Sequence, residues 1–165
     1  MSVLIISLPR TGSTSLLRKV AKEKNLKPLF EPFDGTNRVT YNNEKNVVVK
    51  TIICHHSNNL ELATNFDEII LLSRKNLIEC IESHAYQTYF SKNKNYNSNN
   101  PYYYEEVPLE IFKLCYNDIM KWDVEIKELS KQLNIPITYY EDLYNPNSEE
   151  RLRKGNIAEK QMKLI

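Results

Sequence analysis

Residues 3–15 read Val3-Leu-Ile-Ile-Ser-Leu-Pro-Arg-Thr-Gly-Ser-Thr-Ser15, and this stretch decides the fold. The continuous aliphatic run up to Leu8 is typical of a strand that is buried on both faces of a parallel sheet. Pro9 ends the run, and apolar residues then recur at helical spacing until Asn25. A strand, a turn and a helix in direct succession are the first unit of an α/β domain.

The rest of the chain continues this alternation. Four more strands are predicted, at Leu29–Glu31, Val47–Cys54, Asp67–Ser73 and Pro136–Tyr140. Helices are predicted around Asn58–Thr64, after a capping Asn76, and over Phe112–Leu133. The pattern predicts one α/β domain over residues 1–165, with a largely parallel sheet flanked by helices. Residues 91–107 include a tract rich in Asn and Tyr, which predicts a flexible loop or lid.

Composition excludes several classes of function. The chain has 22 Lys+Arg and 21 Asp+Glu, a formal net charge of +1, so no global field draws it to nucleic acid or to a membrane surface. The N-terminal apolar run is too short to span a bilayer and lacks the features of a signal peptide. Any anion site must therefore be built locally.

Cysteine and histidine usage predicts a reducing, cytoplasmic location and no metal site. The three cysteines are far apart and form no Cys-x-x-Cys pair, which argues against a disulfide framework and a zinc knuckle. Cys54, His55 and His56 are the one cluster of such residues, and neighbours on a strand point to opposite faces.

The turn after the first strand has the features of an anion-binding loop. Gly12 lets the backbone approach a ligand closely, and the first-turn amides of the following helix are unpaired donors at its positive end. Arg10 can add a charge-assisted hydrogen bond. The alternative is an ordinary capped helix with Arg10 in solvent. A Walker A loop is excluded, because the second glycine and the Lys before the hydroxyl residue are missing.

Residues Leu8-Pro-Arg-Thr-Gly-Ser-Thr-Ser-Leu16 resemble the 5′-phosphosulfate loop of sulfotransferases that use 3′-phosphoadenosine 5′-phosphosulfate (PAPS). The resemblance implies a P-loop-like, three-layer, sulfotransferase-type architecture and no metal. It also implies that the loop holds the cosubstrate through a run of polar residues, in which Arg10 has a catalytic role as well: Arg10, Thr11, Gly12, Ser13, Thr14 and Ser15.

A second segment resembles the element of that family that reaches the 3′-phosphate, a strand ending in Arg followed by a helix that carries Ser. Here the strand ends at Arg74, and Ser83 follows nine residues later. A guanidinium at a strand end can grip a phosphate bidentately, and the nearby helix N-terminus can support the same charge. The alternatives are Arg74 as a surface ion-pair partner of Glu79 and Ser83 as an exposed helix residue.

A third segment, Leu29-Phe-Glu-Pro-Phe33, is similar to the Phe-Glu-Pro run of carbohydrate sulfotransferases. The resemblance implies that Glu31 is the general base that takes the proton of the acceptor hydroxyl. A carboxylate between two aromatic residues is expected to be partly desolvated, which makes it a stronger proton acceptor. The alternatives are an edge-strand glutamate that faces water and, as competing bases, His55 or His56.

Two segments near the C-terminal end complete the resemblance. Tyr140-Glu-Asp-Leu143 resembles a run of mainly structural role in many sulfotransferases. Arg153-Lys154-Gly155 resembles a segment that closes over the 3′-phosphate in cytosolic members, but Ala158 stands where that family has glycine and the next tryptophan is absent.

The function expected from this resemblance is in-line transfer of a sulfuryl group from PAPS to the hydroxyl of a carbohydrate or another small alcohol. Two alternatives remain open at this point. One is a P-loop-like enzyme of nucleotide or phosphoryl transfer, and the other is a nucleotide-binding protein that has lost catalysis.

Overall fold

Five parallel strands form the centre of the computed structural model, which describes residues 1–35, 41–92 and 107–144. Their bounds are β1 Ser2–Ser7, β2 Lys27–Phe30, β3 Val47–Ile52, β4 Glu68–Ser73 and β5 Ile137–Tyr139. The spatial order is β2-β3-β1-β4-β5, and every neighbouring pair is parallel. Every residue of β1 and β3 is buried, which explains the continuous apolar runs of these central strands.

Helices cover both faces of the sheet. Their bounds are α1 Ser13–Lys24, α2 Asn59–Ala63, α3 Leu77–Lys92, α4 Leu109–Leu133 and a single turn, α5 Tyr140–Leu143. The apolar residues of α1 form one core cluster with the sheet, while α2, α3 and α4 contribute to a second cluster. Val48 of β3 belongs to the cluster with α1, and Val49 belongs to the other, as strand alternation requires. The predicted α/β class, parallel sheet and flanking helices are confirmed.

Of the differences between predicted and observed strand ends, two affect the candidate site. β2 stops at Phe30, so Glu31 lies just beyond the strand. β3 stops at Ile52, and Ile53–His55 form a 3₁₀ turn in place of further strand. Both differences occur at the carboxyl edge of the sheet, where the chain leaves the strands.

The topology opens a crevice above the end of β1. After β1 the chain enters α1 on one face of the sheet, whereas after the adjacent β3 and β4 it enters α2 and α3 on the other face. Loops that diverge in this way leave a gap beyond the carboxyl ends of the strands, which is where α/β sheets bind ligands. The loop that begins at Pro9 lies in this gap.

Several predicted features fall largely or wholly outside the described residues. Of the predicted lid, Ser91 and Lys92 end α3 and Val107 is buried in the core, while residues 93–106 lie outside. Arg153, Lys154 and Gly155 also lie outside. Within the described ranges, no helix combines the length and the apolar composition needed to cross a bilayer.

Candidate functional site

A cavity of about 770 Å³ lies at the carboxyl ends of the strands. It brings together residues from the loop after β1, the ends of β2 and β3, the start of the β4–α3 connection, and the facing sides of α3 and α4. Most of the residues expected to act line its wall: Arg10, Gly12, Ser13, Thr14, Glu31, His55, Arg74 and Ser83.

The loop after β1 has a backbone suited to an anion. Arg10 and Gly12 have φ values of 61° and 72°, and Gly12 is the N-cap of α1. A left-handed residue followed by right-handed helical residues turns successive N–H groups toward one side, and the first-turn amides of a helix have no partner within it. The amides of Ser13 and Thr14 therefore lie at the positive end of α1.

Two of the predicted loop residues do not line the cavity. The Thr11 side chain is fully buried, and its hydroxyl donates to the carbonyl of Leu8 at 2.8 Å. Ser15 is exposed, and its amide donates to the carbonyl of Gly12 at 3.0 Å. Thr11 and Ser15 therefore shape the turn, and their side chains are not positioned to hold a ligand in the cavity.

Lys50 is a site residue that the sequence analysis missed. It lies on β3 on the same face as Val48, the face covered by α1, and is only 6% exposed. Its Nζ donates to the Thr14 hydroxyl at 3.1 Å and forms an ion pair with the Glu31 carboxylate. The one signal in the sequence was a lone charged residue inside the Val47–Cys54 run, because an ammonium is almost never buried without a partner.

Glu31 reaches the site from an unusual backbone position. Its φ is 48°, and its amide donates to the carbonyl of Lys50 at 2.9 Å. A left-handed conformation at a residue other than glycine costs about 1–3 kcal/mol and is often found at functional sites. The Glu31 side chain is 24% exposed and lies against an ammonium. Glu31 is therefore partly desolvated, as the sequence predicts, but its nearest charged neighbour is the Lys50 ammonium, which the sequence analysis did not foresee.

Arg74 is buried at the start of the β4–α3 connection. It is 8% exposed, its Nη2 lies 3.4 Å from the Glu79 carboxylate, and its guanidinium carbon lies 4.5 Å from the Tyr140 ring centre. The ion pair with Glu79 was the simpler alternative for Arg74, but it occurs in the cavity wall and not on the surface. The buried Nε of Arg74 has no hydrogen-bond partner within the described part of the chain.

Ser83 links the two halves of the predicted cosubstrate site. Its Oγ accepts a hydrogen bond of 2.9 Å from Nε of Arg10. This contact joins the loop after β1 to α3, although 73 residues separate the two side chains. The separate regions expected to hold the 5′ and 3′ ends of one nucleotide are thus adjacent.

The start of α3 is occupied by a carboxylate of the protein itself. Glu141 accepts hydrogen bonds from the amides of Lys75 at 2.9 Å and Asn76 at 3.2 Å. These two amides directly precede α3 and already have a partner, so support for a bound phosphate would have to come from the first-turn amides that begin at Leu77. Asp142 also accepts a hydrogen bond from the Lys75 side chain, which raises the pKa of Lys75. These contacts are the kind expected of a structural segment, and Tyr140 of the same segment also lines the cavity.

The two histidines after β3 have different positions. His55 lines the cavity, and its Nδ1 is buried. His56 accepts a hydrogen bond from the Asn58 amide at 3.2 Å, packs edge-on against Phe33, and does not line the cavity. The 3₁₀ turn at Ile53–His55 separates the two side chains, so only His55 remains a candidate base.

Glu31, Asp34 and His55 could also hold a cation. One ligand atom from each residue lies within 4.8 Å of the others. Two carboxylates and an imidazole are suitable ligands for a divalent metal. The Lys50 ammonium, however, already lies against Glu31 and would repel a second positive charge there.

Two further groups lie near the cavity, Cys80 beneath the loop after β1 and His84 in the cavity wall. Cys80 is fully buried, its thiol donates to the carbonyl of Pro9 at 2.9 Å, and burial raises its pKa to about 12. Cys80 is therefore a structural support beneath the loop and not a nucleophile. His84 lies edge-on to Trp122 at a ring distance of 5.6 Å, and burial lowers the pKa of His84.

Comparison with protein-family models, with curated proteins and with solved structures gives no significant match to this chain. What the cavity can do must therefore be inferred from the residues that form it.

Proposed function

We propose that this chain is a sulfotransferase that moves a sulfuryl group from PAPS to an acceptor hydroxyl by in-line transfer. One observation carries the proposal: Lys50 contacts both Thr14 of the anion-binding loop and the carboxylate of Glu31. The loop, a buried cation and a candidate base therefore belong to one connected group. The resemblance of the loop and the Phe-Glu-Pro segment to sulfotransferases agrees with this arrangement.

The loop provides a complementary site for a phosphosulfate. The amides of Ser13 and Thr14 would bind its oxygens, and Arg10 and Lys50 would neutralise its charge. Charge grows on the bridging oxygen as the sulfur–oxygen bond breaks, so fixed donors at this point lower the barrier.

The far end of the nucleotide would bind on the α3 side. Arg74 is buried, faces the cavity and has an Nε without a hydrogen-bond partner among the described residues. A 3′-phosphate would bind the part of the guanidinium that lines the cavity and would add to its ion pair with Glu79. Ser83 is close enough to Arg10 to contribute a hydroxyl to the same ligand.

Glu31 would act as the base. The acceptor oxygen forms a bond to sulfur while the bond between sulfur and the bridging oxygen breaks, and the electron pair of the broken bond stays on the phosphate of the bisphosphate product. The proton of the acceptor passes to the Glu31 carboxylate. A sulfuryl group at the loop would compete with Glu31 for the Lys50 ammonium, which would leave the carboxylate available for that proton.

We further infer a P-loop-like architecture of the sulfotransferase type and a cytoplasmic location. The gap above β1, with an anion loop leading into α1, supports the first inference. The three free cysteines support the second, since thiols persist in a reducing compartment.

A catalytically inactive nucleotide-binding protein is the less favoured alternative. Such a protein would keep the loop but has no need of a carboxylate beside it. Glu31 adopts a strained backbone conformation and contacts Lys50, which itself contacts the loop. This arrangement favours an enzyme.

A second candidate function is metal-dependent phosphoryl transfer, which the proximity of Glu31, Asp34 and His55 favours. Such an enzyme would use a magnesium nucleotide and would bind it through the same loop. Stabilisation of the protein by ATP with Mg²⁺, and not by the 3′,5′-bisphosphate nucleotide, would select this function.

The substitution Glu31→Gln tests the proposed function. It keeps the size of the side chain but removes its ability to take a proton, so we expect sulfuryl transfer to fall by at least about 10²-fold. Binding of the desulfonated 3′,5′-bisphosphate, measured by calorimetry, should persist because Lys50 keeps its charge.

The matched control is Glu44→Gln, which removes a carboxylate that pairs with Lys27 outside the cavity wall. This variant should retain full activity. Failure of the wild-type protein to bind the bisphosphate nucleotide, or full turnover by Glu31→Gln, would refute the assignment.

A further inference from the structure

Glu31 has a backbone conformation that its own sequence does not favour. Its φ is 48°, in the left-handed region, and the next residue is Pro32. A proline favours extended backbone at the residue before it, and any side chain with a Cβ disfavours the left-handed region. Such a conformation persists only where surrounding contacts enforce it. Contacts from other parts of the fold must therefore hold Glu31 in place.

A tight turn directly after β2 provides part of this support. The carbonyl of Glu31 accepts a hydrogen bond of 3.1 Å from the amide of Asp34, so residues 31–34 form a closed turn with Pro32 at its second position. The amide of Glu31 donates to the carbonyl of Lys50 at 2.9 Å, which attaches the first residue of the turn to β3. These hydrogen bonds fix the two ends of the turn, and Phe33 lies between them.

Phe33 packs its ring into an aromatic cluster that reaches the core. The ring is edge-on to His56 at a centroid distance of 5.5 Å and to Tyr41 at 5.9 Å. Tyr41 is stacked on Phe66 at 5.0 Å, and Phe66 is a buried member of the core. Ring contacts of this kind stabilise beyond the burial of the rings and favour one orientation. Phe33 therefore connects the turn to the packed core of the domain.

The contact between Phe33 and His56 also joins the Glu31 turn to the connection after β3. His55 precedes His56 and lines the cavity, and one of its nitrogens lies within 4.8 Å of the carboxylates of Glu31 and Asp34. The two segments therefore approach each other in the cavity and, outside its wall, through the rings of Phe33 and His56. The position of the Glu31 carboxylate thus depends on the ring of Phe33.

We propose that Phe33 is a positioning residue, which holds the Glu31 carboxylate in the geometry that takes the acceptor proton. This inference rests on the proposed function, in which Glu31 is the base. Phe33 does not line the cavity and would touch neither the cosubstrate nor the acceptor. Its effect would therefore pass through Glu31, and a small displacement of a reacting group can cost about 10²-fold in rate.

Turnover of PAPS with water as the acceptor tests this role without knowledge of the natural acceptor. The oxygen of water forms a bond to sulfur while the bond between sulfur and the bridging oxygen breaks, and Glu31 takes a proton of the attacking water. The products are sulfate and the 3′,5′-bisphosphate nucleotide. We expect Phe33→Ala to lower kcat by about 10–100-fold with little change in KM for PAPS. Phe33→Tyr, which keeps the ring, should restore most of the rate.

A double-mutant cycle with Glu31→Gln separates positioning from general destabilisation. If Phe33 acts through Glu31, Phe33→Ala should have no further effect on kcat once Glu31 is replaced. A merely structural role would lower turnover in both backgrounds. Tyr41→Leu removes a ring that supports Phe33, so it should lower kcat in the same way but less, and it provides a second test if Phe33→Ala does not fold.

The matched control is Tyr116→Ala. Tyr116 of α4 is also a partly buried aromatic residue packed against the core, but it lies outside the cavity wall and takes no part in the ring contacts of Phe33. This variant should lower Tm without lowering kcat. Binding of the 3′,5′-bisphosphate nucleotide, measured by calorimetry, should remain close to the wild-type value in every folded variant.

The outcomes distinguish this inference from the proposed function. Absence of bisphosphate binding or of PAPS turnover in the wild-type protein would refute the proposed function and this inference with it. Wild-type turnover together with an unchanged kcat in Phe33→Ala would refute the positioning role alone. An equal loss of kcat on Phe33→Ala, whether Glu31 is present or replaced, would refute it in the same way.

Discussion

A buried lysine inside a central strand requires a physical reason. Lys50 lies beside Ile5 of β1 and Phe30 of β2 in the sheet register, where an apolar residue would pack without any desolvation cost. Its charge is compensated by the Glu31 carboxylate and the Thr14 hydroxyl. Buried ion pairs contribute little net stability, so the pair is better explained by function than by folding.

The variant Lys50→Met tests this explanation. Methionine fills a similar volume without charge, so we expect the protein to fold while sulfuryl transfer falls by about 10²–10³-fold, the usual effect of losing one aligned donor. Lys50→Arg should keep part of the activity because it preserves the positive charge. It should not keep all of it, because a planar guanidinium does not place that charge at one compact group as an ammonium does. Steady-state kinetics and thermal unfolding measure the two effects separately.

Lys27→Met is the matched control for Lys50. Lys27 pairs with Glu44, but its side chain is 62% exposed and lies outside the cavity wall. This variant should behave as the wild-type protein. A decrease of only a few-fold in Lys50→Met would show that the ammonium is not part of the chemistry.

Gly12 is a second residue at which a small change, the addition of a single Cβ atom, is expected to disturb the candidate site. Its φ is +72°, and a Cβ built there would lie 2.6 Å from Cε2 and 2.8 Å from Cδ2 of Tyr140. We expect Gly12→Ala to lower the free energy of unfolding by about 1–3 kcal/mol through backbone strain alone, with the clash in addition. Displacement of Tyr140 would also disturb Arg74, so calorimetry should detect weaker nucleotide binding.

Gly35→Ala is the control for this substitution. Among the residues that the structure describes, none has an atom within 4 Å of a Cβ built at Gly35, and the φ of Gly35 is not positive. Chemical unfolding of this variant should give a free energy close to the wild-type value. If Gly12→Ala were equally neutral, the close contact between the loop and Tyr140 would not exist in solution.

At the scale of elements, α5 fixes the position of the β4–α3 connection. Tyr140 packs against the Gly12 loop and beneath Arg74, and the next residue, Glu141, caps the start of α3. The single turn α5 therefore contacts two parts of the cavity wall, the loop after β1 and the β4–α3 connection. Arg74 is positioned by two contacts. Its guanidinium stacks on Tyr140, and its backbone directly precedes the Lys75 amide that Glu141 caps.

The variant Glu141→Gln tests this arrangement. The neutral amide has only one acceptor oxygen, and it removes a negative charge at the N-terminus of α3. We therefore expect a loss of about 1 kcal/mol in the free energy of unfolding. Affinity for the 3′,5′-bisphosphate should decrease, while affinity for a 5′-monophosphate should change less. Glu128→Gln, on the exposed surface of α4, is the control and should alter neither quantity.

At the scale of the whole molecule, the sequence was sufficient to predict all five strands and the edge of the sheet at which the cavity lies. Aliphatic runs such as Val3–Leu8 require burial on both faces, and parallel strands end at one common edge. The loop at Arg10 and the connection at Arg74 could therefore be predicted to lie together. The hydrophobic pattern within each segment is enough to predict the strands and the edge at which they end, because a strand is identified from its own residues alone.

The contacts made across the sheet could not be predicted in this way. The pair Lys50–Glu31, the capping of α3 by Glu141 and the contact of Tyr140 with Gly12 each join segments far apart in the chain. Such contacts depend on the order of the strands and on small shifts at their ends. A 3₁₀ turn in place of the last residues of β3 was enough to separate His55 from His56.

The proposed nucleotide site would draw on elements from both faces of the sheet, and this leads to a prediction for overall stability. The groups proposed to bind it come from the loop before α1, from β3, and from the start of the β4–α3 connection. A ligand there should stabilise the whole fold, by about 2.7 kcal/mol at a hundredfold excess over its dissociation constant. For a chain of this size, that corresponds to a rise in Tm of roughly 5–10 °C.

The 3′-phosphate can be isolated by comparing two nucleotides in two proteins. In the wild-type protein, adenosine 3′,5′-bisphosphate should raise Tm more than adenosine 5′-monophosphate at equal concentration, because Arg74 is proposed to bind the additional phosphate. In Arg74→Ala the two nucleotides should give similar shifts. Arg18→Ala, which removes an exposed guanidinium over Phe30, should keep the wild-type difference. Equal shifts in the wild-type protein would mean that Arg74 serves only its ion pair with Glu79, and the site would then be one for 5′-phosphates in general.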